Sequence, residues 1–227
     1  MNTLARRMAD ETPNESSQDM IRAMVSNAAF PCVGAKTALA QNDIRIVEAR
    51  SIFCPADDHH ILESLYSFIE SFDGDKQTFR SLIVVFKDAE TLPEEVFEKC
   101  LWKRLQALNT LDTCEWDKSV SSDPQDNNFS FSIGGRAFYV IGMHPGSSRK
   151  ARQFAYPALV FNLHEQFEQL RSSGKYNSFR QLVRRRDIAF SGSSNPMLAD
   201  FKAASEAIQY SGRQVDPNAW KCPFHAG

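Results

Sequence analysis

The segment 142–171 concentrates side chains able to ligate a metal, bind anions and move protons: His144, Arg149, Arg152, His164 and Glu165. An apolar strand over 137–143 is predicted to deliver His144, Arg149 and Arg152 into a loop. A second strand over 157–161 ends at Asn162, and a helix follows with His164 in its first turn. Strand ends of this kind are where folds mixing sheet and helix commonly build sites. Guanidinium forks are the preferred binders of carboxylates, haem propionates among them. His164 has Phe161 and Phe167 three residues to either side, an apolar setting suited to a flat ligand or a metal-bound ring. Glu165 and Glu168 have no second Glu-x-x-His repeat to match them, which argues against a ferritin-like di-metal centre.

Thiols supply the second set of candidates. Phe30-Pro31-Cys32-Val33-Gly34-Ala35-Lys36 places Cys32 just before a helix, where unpaired amide N–H groups and the dipole favour a thiolate. Gly34 leaves room for a porphyrin face, and Phe30 shields the sulfur. Cys-x-Gly-x-x-x-Ala (Cys32, Gly34, Ala38) resembles the haem-ligand pattern of cytochromes P450, although the chain is far too short to be one and lacks their other motifs. Cys222, in Trp220-Lys221-Cys222-Pro223-Phe224, is the main competitor. Iron would therefore take Cys32 first, with His164, His144 and Cys222 as alternatives. Cys100 falls on an apolar helix face, while Cys54 and Cys114 have no motif around them. Five cysteines at irregular spacing disfavour a disulfide scaffold, and no CxxC pair suggests structural zinc. Asn195 and Gln209 to Arg213 sit in polar-aromatic loop motifs whose amides and hydroxyls could orient a substrate.

These residues need a frame. A length of 227 residues suits one domain, taken as 15–227 behind a polar, frayed 1–14. Amphipathic helices are predicted from 17, over 34–41, over 57–72, from Pro93 to 111, over 163–173, over 178–190 and over 197–209. Strands are predicted over 81–86, 129–133, 136–143 and 157–161, with Gly134-Gly135 turning a hairpin. The expected fold is α+β, a small, mostly antiparallel sheet covered by helices. A net charge of −2 gives no basic face for nucleic acid. Arg184-Arg185-Arg186 reads as one turn of a solvated helix face. No apolar run reaches membrane-spanning length, and without a signal-peptide core the chain is expected in the cytoplasm. An exposed strand edge leaves a homodimer open.

Taken together, the segments resemble the YqcI/YcgG family. The matching pieces include Phe30-Pro31-Cys32 with Gly34-Ala35-Lys36, Gly142 to His144-Pro145, Ser148-Arg149 and Phe161-Asn162 with His164-Glu165-Gln166-Phe167. Arg186-Asp187, Asn195-Pro196-Met197-Leu198, Gln209 to Arg213 and Trp220 to Phe224 complete them. The family pattern has Asp-Phe-Gly where this chain has Asp200-Phe201-Lys202.

The resemblance implies a haem b oxygenase that uses O2 and an external electron donor. It N-hydroxylates a guanidino or amine group of arginine or a related small molecule, in natural-product biosynthesis. In that reading Cys32 is the proximal ligand, with Arg149 and Arg152 on the propionates. His144 or His164 gives protons or replaces Cys32, and Glu165 or Asp187 pairs with a cationic substrate. Phe161 and Phe167 flank the cofactor, and Asn195, Gln209 and Arg213 orient the substrate. The alternative is a non-enzymatic haem-binding or sensing protein.

Overall fold

A computed structural model describes residues 15–72, 79–87, 91–193, 195–197 and 204–227. The strands are β1 (Ile44–Ala49), β2 (Ser81–Phe86), β3 (Phe131–Ile133), β4 (Arg136–Met143) and β5 (Ala158–Leu163). They form a single sheet in the order β1-β2-β5-β4-β3. β1 runs parallel to β2, and every other pairing is antiparallel. The fold is α+β, with a mostly antiparallel sheet, as the sequence predicts. β1 has no counterpart in the sequence reading. Parallel neighbours need a crossover, and α3 (Asp58–Glu70) supplies it between β1 and β2. Gly134 and Gly135 turn the β3–β4 hairpin with φ of 61° and 71°, the left-handed pair a two-residue turn requires.

Side-chain alternation divides the sheet into two unequal faces. Leu82, Val84, Phe86, Phe138, Val140, Leu159, Phe161 and Leu163 point to one side. There α3 and α4 (Glu94–Leu111) cover them, together with Tyr210, Cys222 and Phe224 of the C-terminal segment. Ile83, Val85, Met143, Ala158 and Val160 point the other way, toward α1 (Ser17–Ser26) and Phe30. The core on that side is thin, and it ends beside a cavity.

Two helices close the cavity side, α5 (Glu165–Ser172) and α6 (Tyr176–Ser191). Of the residues in α6, Asp187 alone is fully buried. A helix with so little core beneath it holds through its edges. Phe179 stacks on Phe79 at 5.2 Å and Phe190 meets Phe30 edge-on. Arg186 donates to the carbonyls of Ala28 and Phe30. The expected solvated arginine face is corrected here: Arg185 is exposed, but Arg186 is tied to backbone and Arg184 lines the cavity. The helix predicted over 197–209 is also revised. Glu206–Gln209 is a single 3-10 turn, and 198–203, including Asp200-Phe201-Lys202, lie outside the described residues. The frayed terminus expected over 1–14 lies outside them too.

Candidate functional site

A cavity of about 290 Å³ lies between the thin face of the sheet, the start of α2 (Val33–Ala40), α6 and the Glu206–Gln209 turn. β4 and β5 supply its floor through Tyr139, Ile141, Met143, Val160 and Asn162. Met24, Val25 and Phe30 form an apolar end wall. α6 contributes Tyr176, Arg180, Val183, Arg184 and Asp187, a stripe at helical spacing that puts one face of the helix over the opening.

Cys32 stands in the wall as the N-cap of α2, and its Sγ accepts the Ala35 amide at 3.3 Å. Burial raises the thiol's pKa above its ordinary value, and the Ala35 and Gly34 amides and the Arg152 charge offset this only in part, so the expectation of a thiolate favoured by the helix start is corrected here. The close approach at Gly34 is to a protein ring, since an added Cβ would meet Phe79 at 3.1 Å.

Arg149 forms an ion pair with Asp187 at 2.6 Å, both side chains being about nine-tenths buried. The pair ties the loop after β4 to α6, and Ser191 adds a hydrogen bond to Asp187. Arg152 is buried and donates to the carbonyls of Gly142, Tyr210 and Gln209. Burial lowers its pKa, with Tyr139 and Asp187 opposing that fall. It also takes part in the cavity wall.

His164 opens α5, with Nε2 3.4 Å from Glu206 Oε1 and Nδ1 3.6 Å from Glu168 Oε1. Glu206 Oε2 accepts from the Ser130 hydroxyl at 2.6 Å. Tyr139 donates to Gln209 Oε1 at 2.5 Å, and burial holds its phenol protonated far above the usual range. Ser81 donates to Asn162 Oδ1, which fixes that amide on the floor. Asn195 accepts from the Met197 amide and Phe167 sits edge-on to Tyr139 and Phe79.

The cavity thus brings together Cys32, Arg149, Arg152, His164, Phe167, Asp187, Asn195 and Gln209. Other candidates fall elsewhere. His144 leaves the cavity and stacks on Phe97 at 4.2 Å, where burial lowers its pKa against an opposing pull from Glu94 and the Leu92 backbone. Phe161 faces the opposite core, because it alternates with Val160 and Asn162 along β5. Glu165 pairs with Arg136 at the surface. Cys222 packs in the α4 core, and burial raises its thiol to about 12. Arg213 clamps Glu98 on that same side, at 2.5 and 2.9 Å.

Sequence reading missed Tyr139, Asn162, Arg171, Arg180, Arg184 and Glu206 as cavity residues. A signal existed for some: Tyr139, Ile141 and Met143 alternate along a predicted strand, and Tyr176, Arg180, Arg184 and Asp187 repeat at helical spacing. Among the described residues no group of three or more His, Cys, Asp or Glu is placed to hold a bare metal ion. No described helix is long and apolar enough to cross a membrane.

The YqcI/YcgG family model matches residues 21–225. The chain is also 26% identical over 207 residues to the protein named "Uncharacterized protein YcgG" of Bacillus subtilis (strain 168), covering 86% of this chain and 80% of that one. No solved structure matches it. The family match takes in every residue that lines the cavity, from Met24 to Gln209, and the chain belongs to the YqcI/YcgG family.

Proposed function

We propose that the cavity holds haem b and that the protein is an oxygenase adding a hydroxyl to a guanidino or amine nitrogen of arginine or a related small molecule. The observation that carries this reading is Cys32, a half-buried thiol on the cavity wall whose sulfur accepts from a helix N-terminal amide and lies near a buried guanidinium. A single thiolate is enough to hold haem iron. His164 is the weaker candidate, because both its ring nitrogens already face carboxylates.

The donor set fits haem. Arg149, Arg152, Arg171, Arg180 and Arg184 line the cavity, where two propionates would share them with partners such as Asp187 on Arg149 and Glu168 on Arg171. Met24, Phe30, Ile83, Ile141, Met143 and Val160 offer apolar walls for the macrocycle. At about 290 Å³ the volume falls just short of the roughly 300–1,000 Å³ usual for small-molecule pockets. Haem and substrate together would therefore press on α6, the wall with the least core behind it.

Bound haem supplies O2 activation with two electrons from an external donor and two protons, one oxygen going to the nitrogen and the other to water. The chain's own part is to orient and to exclude water. Tyr139 keeps its proton and fixes Gln209, while Glu206 and His164 stand where a proton can be held near the substrate. We place this chemistry in the cytoplasm, where thiols stay reduced, in keeping with the free state of all five cysteines.

An absorption spectrum of the purified protein tests the reading. About one haem per chain is expected, with a thiolate-type ferrous–CO band that Cys32→Ser abolishes while the fold survives. A protein that stays colourless after hemin titration sinks the proposal. If Cys32→Ser leaves the band unchanged and His164→Ala bleaches it, the iron ligand is His164.

A further inference from the structure

We infer that Tyr139, Tyr210, Trp102 and Trp220 form a relay of aromatic rings that drains oxidising equivalents from the cavity to the protein surface. The inference rests on the oxygenase reading and gives the site a protective function beside it.

Tyr139 lines the cavity from β4. Its ring centroid lies 6.0 Å from that of Tyr210, Tyr210 stacks on Trp102 at 5.6 Å, and Trp102 lies 6.3 Å from Trp220. These are contact separations for aromatic pairs. Tyr210 and Trp102 are buried and Trp220 is half-buried, so the line runs from the cavity wall through the core to solvent. The chain holds 17 Phe against 5 Tyr and 3 Trp. Every ring on this line is nevertheless Tyr or Trp, the aromatic side chains that give up an electron most readily.

Two indole N–H groups separate the line from ordinary packing. Trp102 Nε1 is buried with no hydrogen-bond partner among the described residues, a cost in stability that phenylalanine would avoid. Trp220 Nε1 donates to Glu98 Oε1 at 3.2 Å. An indole radical cation is a far stronger acid than indole, so Glu98 can take that proton. The Tyr139 phenol donates to the Gln209 amide oxygen and the Tyr210 phenol to the Phe138 carbonyl, neither of which is a base. The phenols therefore pass the electron without holding the radical, which comes to rest on Trp220.

The cavity needs such an outlet. Cys32, Met24 and Met143 line it, and thiols and thioethers are what an oxidant without substrate attacks. Through the relay, oxidised haem takes one electron from Trp220, whose N–H proton passes to Glu98, leaving a neutral indolyl radical. A soluble thiol returns one hydrogen atom, two thiyl radicals join as a disulfide, and Glu98 releases its proton to water.

Hydrogen peroxide added to the hemin-loaded full-length protein, without substrate, tests this. The absorption spectrum records loading, electron spin resonance of frozen samples identifies the radical, and peptide mass spectrometry locates oxidised residues. An indolyl signal and oxidation at Trp220 are expected, with Cys32, Met24 and Met143 largely spared. Trp102→Phe keeps an aromatic ring but should lose the mark at Trp220 and move oxidation to the cavity residues. Trp116→Phe is the control and should behave as wild type. Its Nε1 is also buried without a partner among the described residues, but its ring meets Phe129, Phe131 and Phe224, off the line. Oxidation at Trp220 that is undiminished in Trp102→Phe, equal in hemin-free protein, or absent from wild type overturns the inference. Should Trp102→Phe fail to fold, Trp220→Phe decides, since it should lose the indolyl signal and turn oxidation onto the cavity residues; an unchanged signal there also overturns the inference. A protein that takes up no hemin loses the oxygenase reading and the relay together, whereas a hemin-loaded protein without the Trp220 mark loses the relay alone.

Discussion

Arg152→Met tests how the cavity is built. The guanidinium reaches the carbonyls of Gly142, Tyr210 and Gln209 at 2.9, 3.1 and 3.0 Å, from a residue 8% exposed. It thereby joins the end of β4 to the C-terminal segment, where the Gly142 amide also donates to the Tyr210 carbonyl. Methionine keeps an unbranched stem and removes every donor. Leaving buried acceptors open costs about 1–3 kcal/mol each. Removing a buried charge returns part of its desolvation cost. The net loss expected is about 3–5 kcal/mol, in the range seen when a buried polar network is broken.

Urea unfolding checks it. With a slope near the upper end of the usual 1–3 kcal/mol/M, the midpoint should fall by about 1 M or more. Arg152→Lys should fall in between, since it keeps the charge but not the planar fork. Arg185→Ala, on an exposed residue, is the reference and should stay within about 0.5 kcal/mol. Arg184 would be a poor reference because it lines the cavity. If Arg152→Met unfolds at the wild-type midpoint, the carbonyl cluster does not depend on the guanidinium. Arg152 would then serve ligand binding alone.

Asp187→Asn keeps the shape of α6's only fully buried residue and removes the charge that holds Arg149. A cost of about 2–4 kcal/mol and faster amide exchange in α6 are expected, and unchanged exchange would show that the pair does not hold the helix. Cys222 ionises near pH 9 when unfolded and at about 12 when folded. The folded thiol thus keeps its proton where the unfolded one loses it, and its contribution to stability is present below pH 9 and lost toward pH 12. That loss amounts to at most about 1.4 kcal/mol per pH unit. Cys222→Ala should flatten the alkaline decline, and an identical slope in both proteins would refute the assignment.

The readability of the fold tracks burial. Past Ser81, β2 is apolar through to Phe86 because it is buried on both faces, and it reads as a strand at once. Ile44–Ala49 is an edge strand whose Arg45 and Glu48 interrupt the apolar run, so nothing in six residues separates it from a loop. The site is less legible for a related reason. Three-residue spacing puts Phe161 with His164, yet that spacing holds on a helix, and Phe161 lies in a strand that turns it to the other face. Cys32 and Asp187 could be named one by one from their motifs. Their meeting depends on α6 crossing back over the sheet, which no local pattern encodes.

The same limit applies to charge. A chain with a net charge of −2 gives no hint of a cavity whose wall gathers five arginines with Asp187 and Glu206. Most of the charge on the wall is basic, and Glu206 stands out within it, held among the described residues by the Ser130 hydroxyl and the His164 imidazole. In the proposed reading, haem propionates would take charge-assisted hydrogen bonds from arginines that already hold other partners, as Arg149 holds Asp187 and Arg171 holds Glu168. Cofactor loading should accordingly respond to substitutions at the arginines.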